Sequence, residues 1–183
     1  MSEQTIIYHC SPTLAGIKTA NLFACKYENK QELMDEIRAF NRALHHKGIV
    51  MLPIKMKNGR ALIYLYRPSK LESDLNHELA MQLLTEHGYN NTRIGQCIPR
   101  LMKRLHDYDE FPHEIGLFLG YPPEDVEGFI RNSGNGCKCV GCWKVYGDEC
   151  KAQRCFENYK KCTRIYCDLY EKGRSIERLT VAV

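Results

Sequence analysis

Two runs of strand-forming residues, Ile49–Met56 and Arg60–Tyr66, flank the pair Asn58-Gly59. Asn-Gly between two such runs is the strongest short-range signal for a two-residue hairpin, because both central residues of that turn need positive φ. The first half of the chain is thereby committed to antiparallel pairing. Pro53 has no amide hydrogen for a ladder, so its strand belongs at a sheet edge or is interrupted.

Around this hairpin the sequence predicts helices and short strands. Thr5–Tyr8 reads as a first short strand ending at His9-Cys10, followed by Ser11-Pro12, where Ser11 caps a helical turn and Pro12 fits its first position. Asn21–Cys25 reads as a second strand. Asn29 and Glu32 form a capping-box pattern, and Leu33, Ile37, Phe40 and Leu44 continue it as an amphipathic helix over 30–47, stopped by Gly48. Ser69 and Glu72 repeat the pattern, with Leu71, Leu75, Leu79 and Leu83 extending a second helix to Gly88. From Ile94 the pattern is helical: one helix to Leu105, two short ones around Gly120-Tyr121-Pro122, and one capped by Asp148 that runs to about Lys172. The fold class expected is α+β, a small mixed sheet with packed helices followed by a helical C-terminal half. The chain is read as one domain, 1–183, with sub-parts 1–90, 91–131 and 137–183, and the turn Asn132–Gly136 as its best internal boundary.

No segment approaches the roughly 20 apolar residues that a membrane span needs, and the first residues lack a basic, then apolar, leader pattern. A cytoplasmic, soluble protein is the expectation. Ten cysteines in such a compartment point to metal ligands, redox thiols or buried thiols rather than disulfides. Seven of the ten lie between Cys137 and Cys167. On a helix at about 100° per residue, Cys155 and Cys162 share the apolar face of Tyr159 and Tyr166, while Cys150 lies on the other side. The helix cysteines therefore cannot ligate one ion together.

Three site readings follow. In the first, a small-ligand or thiol-dependent site lies at the end of the first strand: Cys10 supplies a thiolate, His9 assists proton transfer, and Lys18 and Arg67, with Lys144, hold an anionic ligand. The bland alternative is that Cys10 packs as a small hydrophobe. In the second, Cys137, Cys139 and Cys142 bind zinc or an iron–sulfur cluster, or sense redox state, with Lys138, Lys144 and Lys151 favouring thiolate. Residues 137–183 carry 10 Lys and Arg against 6 Asp and Glu, so such a module would dock an acidic protein partner. In the third, 113–130 is a helix-turn-helix bound to DNA, but Glu124, Asp125 and Glu127 stand where phosphates would be met, which argues against nucleic acid. No H-E-x-x-H, phosphate-binding glycine loop or G-x-S-x-G occurs.

The segments C-S-P-T-L-A-G-I-K-T-A-N-L-F, H-E-I-G-L-F-L-G-Y-P-P-E-D-V-E-G-F-I and W-K-V-Y-G-D with Y-K-K-C resemble an uncharacterised bacterial family catalogued as domain of unknown function 3793. The resemblance spans nearly the whole chain and implies one intact domain without implying a reaction. It places Cys10 and Cys162 within the family pattern and marks Cys142, Cys150 and Cys155 as departures, which counts against a family-wide metal site on Cys137, Cys139 and Cys142.

Overall fold

A computed structural model describes residues 1–90, 93–107 and 111–182. The chain forms two compact units, Met1–Ser69 with Tyr159–Val183, and Lys70–Asn158. The Asn132–Gly136 turn falls inside the second.

The first unit is built on a three-stranded antiparallel sheet. The hairpin pairs β2 (Val50–Lys57) with β3 (Arg60–Tyr66), and Asn58 and Gly59 take φ of 52° and 69° at its turn. β1 (Ala20–Lys26) pairs with the other side of β3, giving the order β1-β3-β2. Pro53 therefore sits on an edge strand, and the register shifts between Pro53 and Lys55. α2 (Lys30–Leu44) is capped by Asn29, whose side chain accepts from the Gln31 and Glu32 amides. From this helix Asn41 reaches the β2 edge, donating to the Met51 carbonyl at 2.9 Å and accepting from its amide at 2.8 Å. That side chain occupies main-chain groups that an open edge would offer to another strand.

The first strand expected at Thr5–Tyr8 is instead part of a helix, α1 (Glu3–Leu14), capped by Ser2. Thr-Ile-Ile-Tyr is β-forming by local preference, but Ile6, Ile7, Cys10 and Leu14 recur at helical spacing and all four are buried. Burial of that stripe outweighs a propensity difference of at most about 1 kcal/mol per residue. Ser11 is not a cap; its hydroxyl donates back to the Ile7 carbonyl. Phe23, Leu33, Ile37, Leu44, Met51, Ile63 and Leu65 complete the core with Ile176 and Leu179 of α9 (Ile176–Leu179).

Arg67, just past β3, is fully buried. Its guanidinium donates to four carbonyls: Thr13 and Leu14 at 2.7 Å each, Lys47 at 3.0 Å and Val181 at 2.7 Å. Thr13 and Leu14 close α1, Lys47 ends the 3-10 turn that follows α2, and Val181 follows α9. Helix C-termini carry partial negative charge, so these carbonyls stand in for a carboxylate, and among the described residues none pairs with Arg67. Lys47 adds a parallel tie, its ammonium donating to the Glu177 and Thr180 carbonyls.

The second unit is mainly helical. The single helix expected from Ser69 to Gly88 is divided into α3 (Pro68–Leu75) and α4 (Glu78–Glu86). Spacing of four residues drifts round a helix by about 40° per step, and the break at Asn76-His77 moves the buried position from Leu79 to Ala80. α5 (Ile94–Asp107), α6 (Ile115–Phe118) and α7 (Pro123–Arg131) follow, then a hairpin of β4 (Cys139–Val140) and β5 (Lys144–Val145). α8 (Glu149–Glu171) starts in this unit, capped by Asp148, and the division between the units falls within it. Among the described residues no helix is long and apolar enough to cross a membrane.

Replacing Arg67 by Met removes a donor from four buried carbonyls, of which Thr13 and Leu14 keep the Gly16 and Val181 amides, so Arg67→Met should destabilise the first unit by about 4 kcal/mol. Urea unfolding followed by far-UV circular dichroism measures this, with Arg67→Lys intermediate. A loss below 1 kcal/mol in both variants would contradict the assignment.

Candidate functional site

The residues singled out near the chain start do not form a site around a thiolate. Cys10 lies inside α1 rather than at a strand end, has no solvent exposure, and packs in the core. Burial pushes its thiol far above the ordinary value of 9.0, with the Lys18 ammonium acting in the opposite sense. His9 is on the exposed side of the same helix, its ring stacked on Phe23 at 5.3 Å. Adjacent helical residues point about 100° apart, so the two do not act as a pair. The two cations expected beside them are engaged by the main chain. Lys18 is buried and donates to the Ala20 carbonyl, and Arg67 holds helix ends.

The C-terminal thiols are distributed over a hairpin and a helix. Cys139 begins β4 opposite Val145, Cys142 is exposed near the hairpin turn, and Cys137 is half-buried before the strand. Partial burial raises the Cys139 pKa, and the Glu149 carboxylate, which the thiol hydrogen-bonds, raises it further. Lys138 and Lys144 donate to the Gly147 and Gly134 carbonyls, at 2.6 and 2.7 Å. Among the described residues no group of three or more His, Cys, Asp or Glu side chains is placed to hold a metal ion. On α8, Cys150 is exposed, Cys155, Cys162 and Cys167 are half-buried, and burial pushes Cys162 up to about 11.

What the second unit does form is a cavity. Pro122 and Pro123 start α7, whose third residue is Asp125. Asp125 is 3% exposed, although the sequence suggested a surface carboxylate. Its Oδ1 accepts from the Tyr146 and Gly147 amides at 2.7 Å each, and its Oδ2 from the Trp143 indole N–H at 2.7 Å. The hairpin it grips has only two residue pairs, Cys139 with Val145 and Val140 with Lys144. Two strands of that length are not stable by themselves, so the carboxylate supplies the anchor that the ladder lacks.

Aromatic contacts continue from that anchor. Trp143 stacks on Tyr121 at 4.8 Å and meets Phe156 of α8 edge-on at 4.5 Å. Close approach there depends on Gly141, where a Cβ would fall 2.2 Å from the Phe156 ring. Between α6, α7 and the hairpin lies a cavity of about 370 Å3, with Leu119, Tyr121, Val126, Phe129, Val140 and Trp143 among its walls and His113, Asp125 and Lys144 as polar groups. His113 meets the Phe129 ring edge-on at 4.9 Å, and the Lys144 ammonium lies 5.6 Å from the centre of that ring. Burial, reinforced by Cys142, pushes the Tyr121 hydroxyl up to about 12, so it stays protonated, and it donates to the Cys142 carbonyl at 3.3 Å.

α7 spends Asp125 on the hairpin, and Glu127 pairs with Arg131 at 2.6 Å. Lys144 was expected at a ligand site with Cys10, Lys18 and Arg67; here it lines the cavity instead. Sequence reasoning missed Asp125 and Trp143 as partners because 18 residues separate them, and a carboxylate in a helix's first turn ordinarily serves its own helix end.

Two outcomes are expected. Asp125→Asn places an amide N–H against the indole N–H or the hairpin amides, so it should cost about 2 kcal/mol and move Trp143 emission to longer wavelength. Unchanged emission and stability would contradict the clamp. For the thiols, iodoacetamide at neutral pH should label Cys142 and Cys150 before Cys10, which should react only on unfolding. Cys10 and Cys162 are held protonated in the fold, so their contribution to stability should be level below pH 9 and decline as pH rises from 9 toward 11, where unfolded thiols ionise and Cys162 in the fold does not. Early labelling of Cys10 in the native protein would refute its burial.

No curated protein and no solved structure matches the chain. One family model does, described as Protein of unknown function (DUF3793), and its match runs from Ile6, the first buried residue of α1, to Thr180, a carbonyl partner of Lys47. Covering nearly every residue that forms the two units, that match makes the chain a member of the DUF3793 family.

Proposed function

We propose that this protein binds a small, largely apolar ligand in the cavity of its second unit. The observation that carries the reading is a preformed space of about 370 Å3 walled by aromatic and aliphatic side chains, with a few polar groups converging on it. Ligand sites are commonly of this size and character. Asp125 favours the reading further, since a buried carboxylate anchoring a two-pair hairpin holds one wall in place before any ligand arrives.

Binding fits the site better than catalysis. Three donors occupy Asp125, the Tyr121 hydroxyl is protonated and donates to a carbonyl, and neither is set up as a base. The thiol-dependent alternative loses its nucleophile with Cys10 buried in the core.

Trp143 is the only tryptophan and lies in the cavity wall, which makes it an intrinsic reporter. 1-Anilinonaphthalene-8-sulfonate should bind with one-to-one saturation and receive energy from Trp143. Phe129→Ala, which removes a ring from the wall, should weaken that binding about tenfold. Absence of energy transfer, or identical binding by the variant, would end the proposal.

A further inference from the structure

We infer that the ligand is a one- or two-ring aromatic acid, its ring lying between the aromatic walls of the cavity and its acidic group held by Lys144; this rests on the binding role proposed above.

Asp125 has little left to offer a cationic or hydrogen-bond-donating ligand. Both positions on Oδ1 are taken by the Tyr146 and Gly147 amides, and Oδ2 already accepts from the Trp143 indole. Lys144 is the opposite case. An ammonium has three N–H donors, and the structure commits one, to the Gly134 carbonyl at 2.7 Å. Among the described residues no carboxylate pairs with it. That bond and the nearby Phe129 face hold the ammonium in place without neutralising its charge. A half-buried cation beside an apolar space, with donors to spare, favours an anionic group over a neutral one.

Shape supplies the rest. Tyr121, Trp143 and Phe129 present rings to the space, and rings stack well on flat partners. At Gly116 a Cβ would come within 2.7 Å of Val126 and 3.2 Å of Tyr121, so the α6 wall is already closed against them. The volume lies near the lower end of the range for ligand cavities, about 300–1,000 Å3, which suits one or two rings rather than a larger cofactor. One lysine suits a carboxylate or sulfonate better than a phosphate, which gathers several donors or a helix end.

Isothermal titration calorimetry with 2-naphthoate and its neutral counterpart 2-naphthamide tests this on the full chain. The wild type should bind naphthoate about tenfold more tightly than naphthamide. Lys144→Met should remove that preference, weakening naphthoate about tenfold and naphthamide by less, and Lys144→Arg should keep it. Equal affinity of the wild type for the two probes would overturn the acid assignment and leave the cavity standing as a binding site. Failure of both probes to bind would overturn the cavity as well. A naphthoate preference that survives in Lys144→Met would overturn the role given to Lys144.

Discussion

The buried carboxylate of Asp125 is the interaction on which the second unit's cavity depends. A charge taken out of water costs several kcal/mol unless its hydrogen-bonding capacity is met. Here two main-chain amides and an indole N–H meet it. All three donors come from one short segment, Trp143–Gly147, so satisfying the charge also fixes that segment against α7. The wall containing Trp143 and Lys144 follows from that attachment, as does the Trp143 contact with Tyr121 on one side and Phe156 on the other.

The first unit uses the same physical device with the opposite sign. Arg67 is a buried cation whose partners are carbonyls at helix ends, where the peptide dipoles gather partial negative charge. Asp125 is a buried anion whose partners are amides. In each unit one charged side chain gathers segments far apart in sequence, and its specificity comes from the number of main-chain groups that must be satisfied together. This separates two kinds of buried charge that a sequence alone does not distinguish. Arg67 and Lys18 are consumed by the fold, whereas the bond to the Gly134 carbonyl commits one of the three Lys144 donors.

Local chemistry was the legible part of the fold. Asn58-Gly59, the edge position of Pro53, the Asn29 cap and the Asp148 cap were all readable because each depends on neighbours within a few residues. The α1 segment was misread for a related reason: Thr5–Tyr8 has strand preference taken alone, and the stripe that makes it helical extends to Leu14. The α3–α4 break also escaped pattern reading, since leucines every four residues continue through it. The site was hardly legible. Seven clustered cysteines drew attention to their spacing, but a metal centre needs thiols converging in space, and the hairpin places Cys139 and Cys142 at different levels along its length. The pair that shapes the cavity, Asp125 and Trp143, is joined only by the turn after α7 and the return of the chain through β4. Nothing in local sequence reports such an encounter.

The space between α6, α7 and the hairpin is proposed to receive an acidic aromatic molecule. The most direct test is a proton–nitrogen correlation spectrum of 15N-labelled protein during titration with 2-naphthoate. A single tryptophan gives a single indole N–H resonance, and that proton is bonded to Asp125 in the cavity wall. A saturable shift of this resonance is expected together with the amides of Phe129 and Lys144, while the Arg67 amide and side-chain Nε–H stay in place. A stationary indole resonance at saturating ligand, or shifts confined to the residues around Arg67, would contradict the proposal.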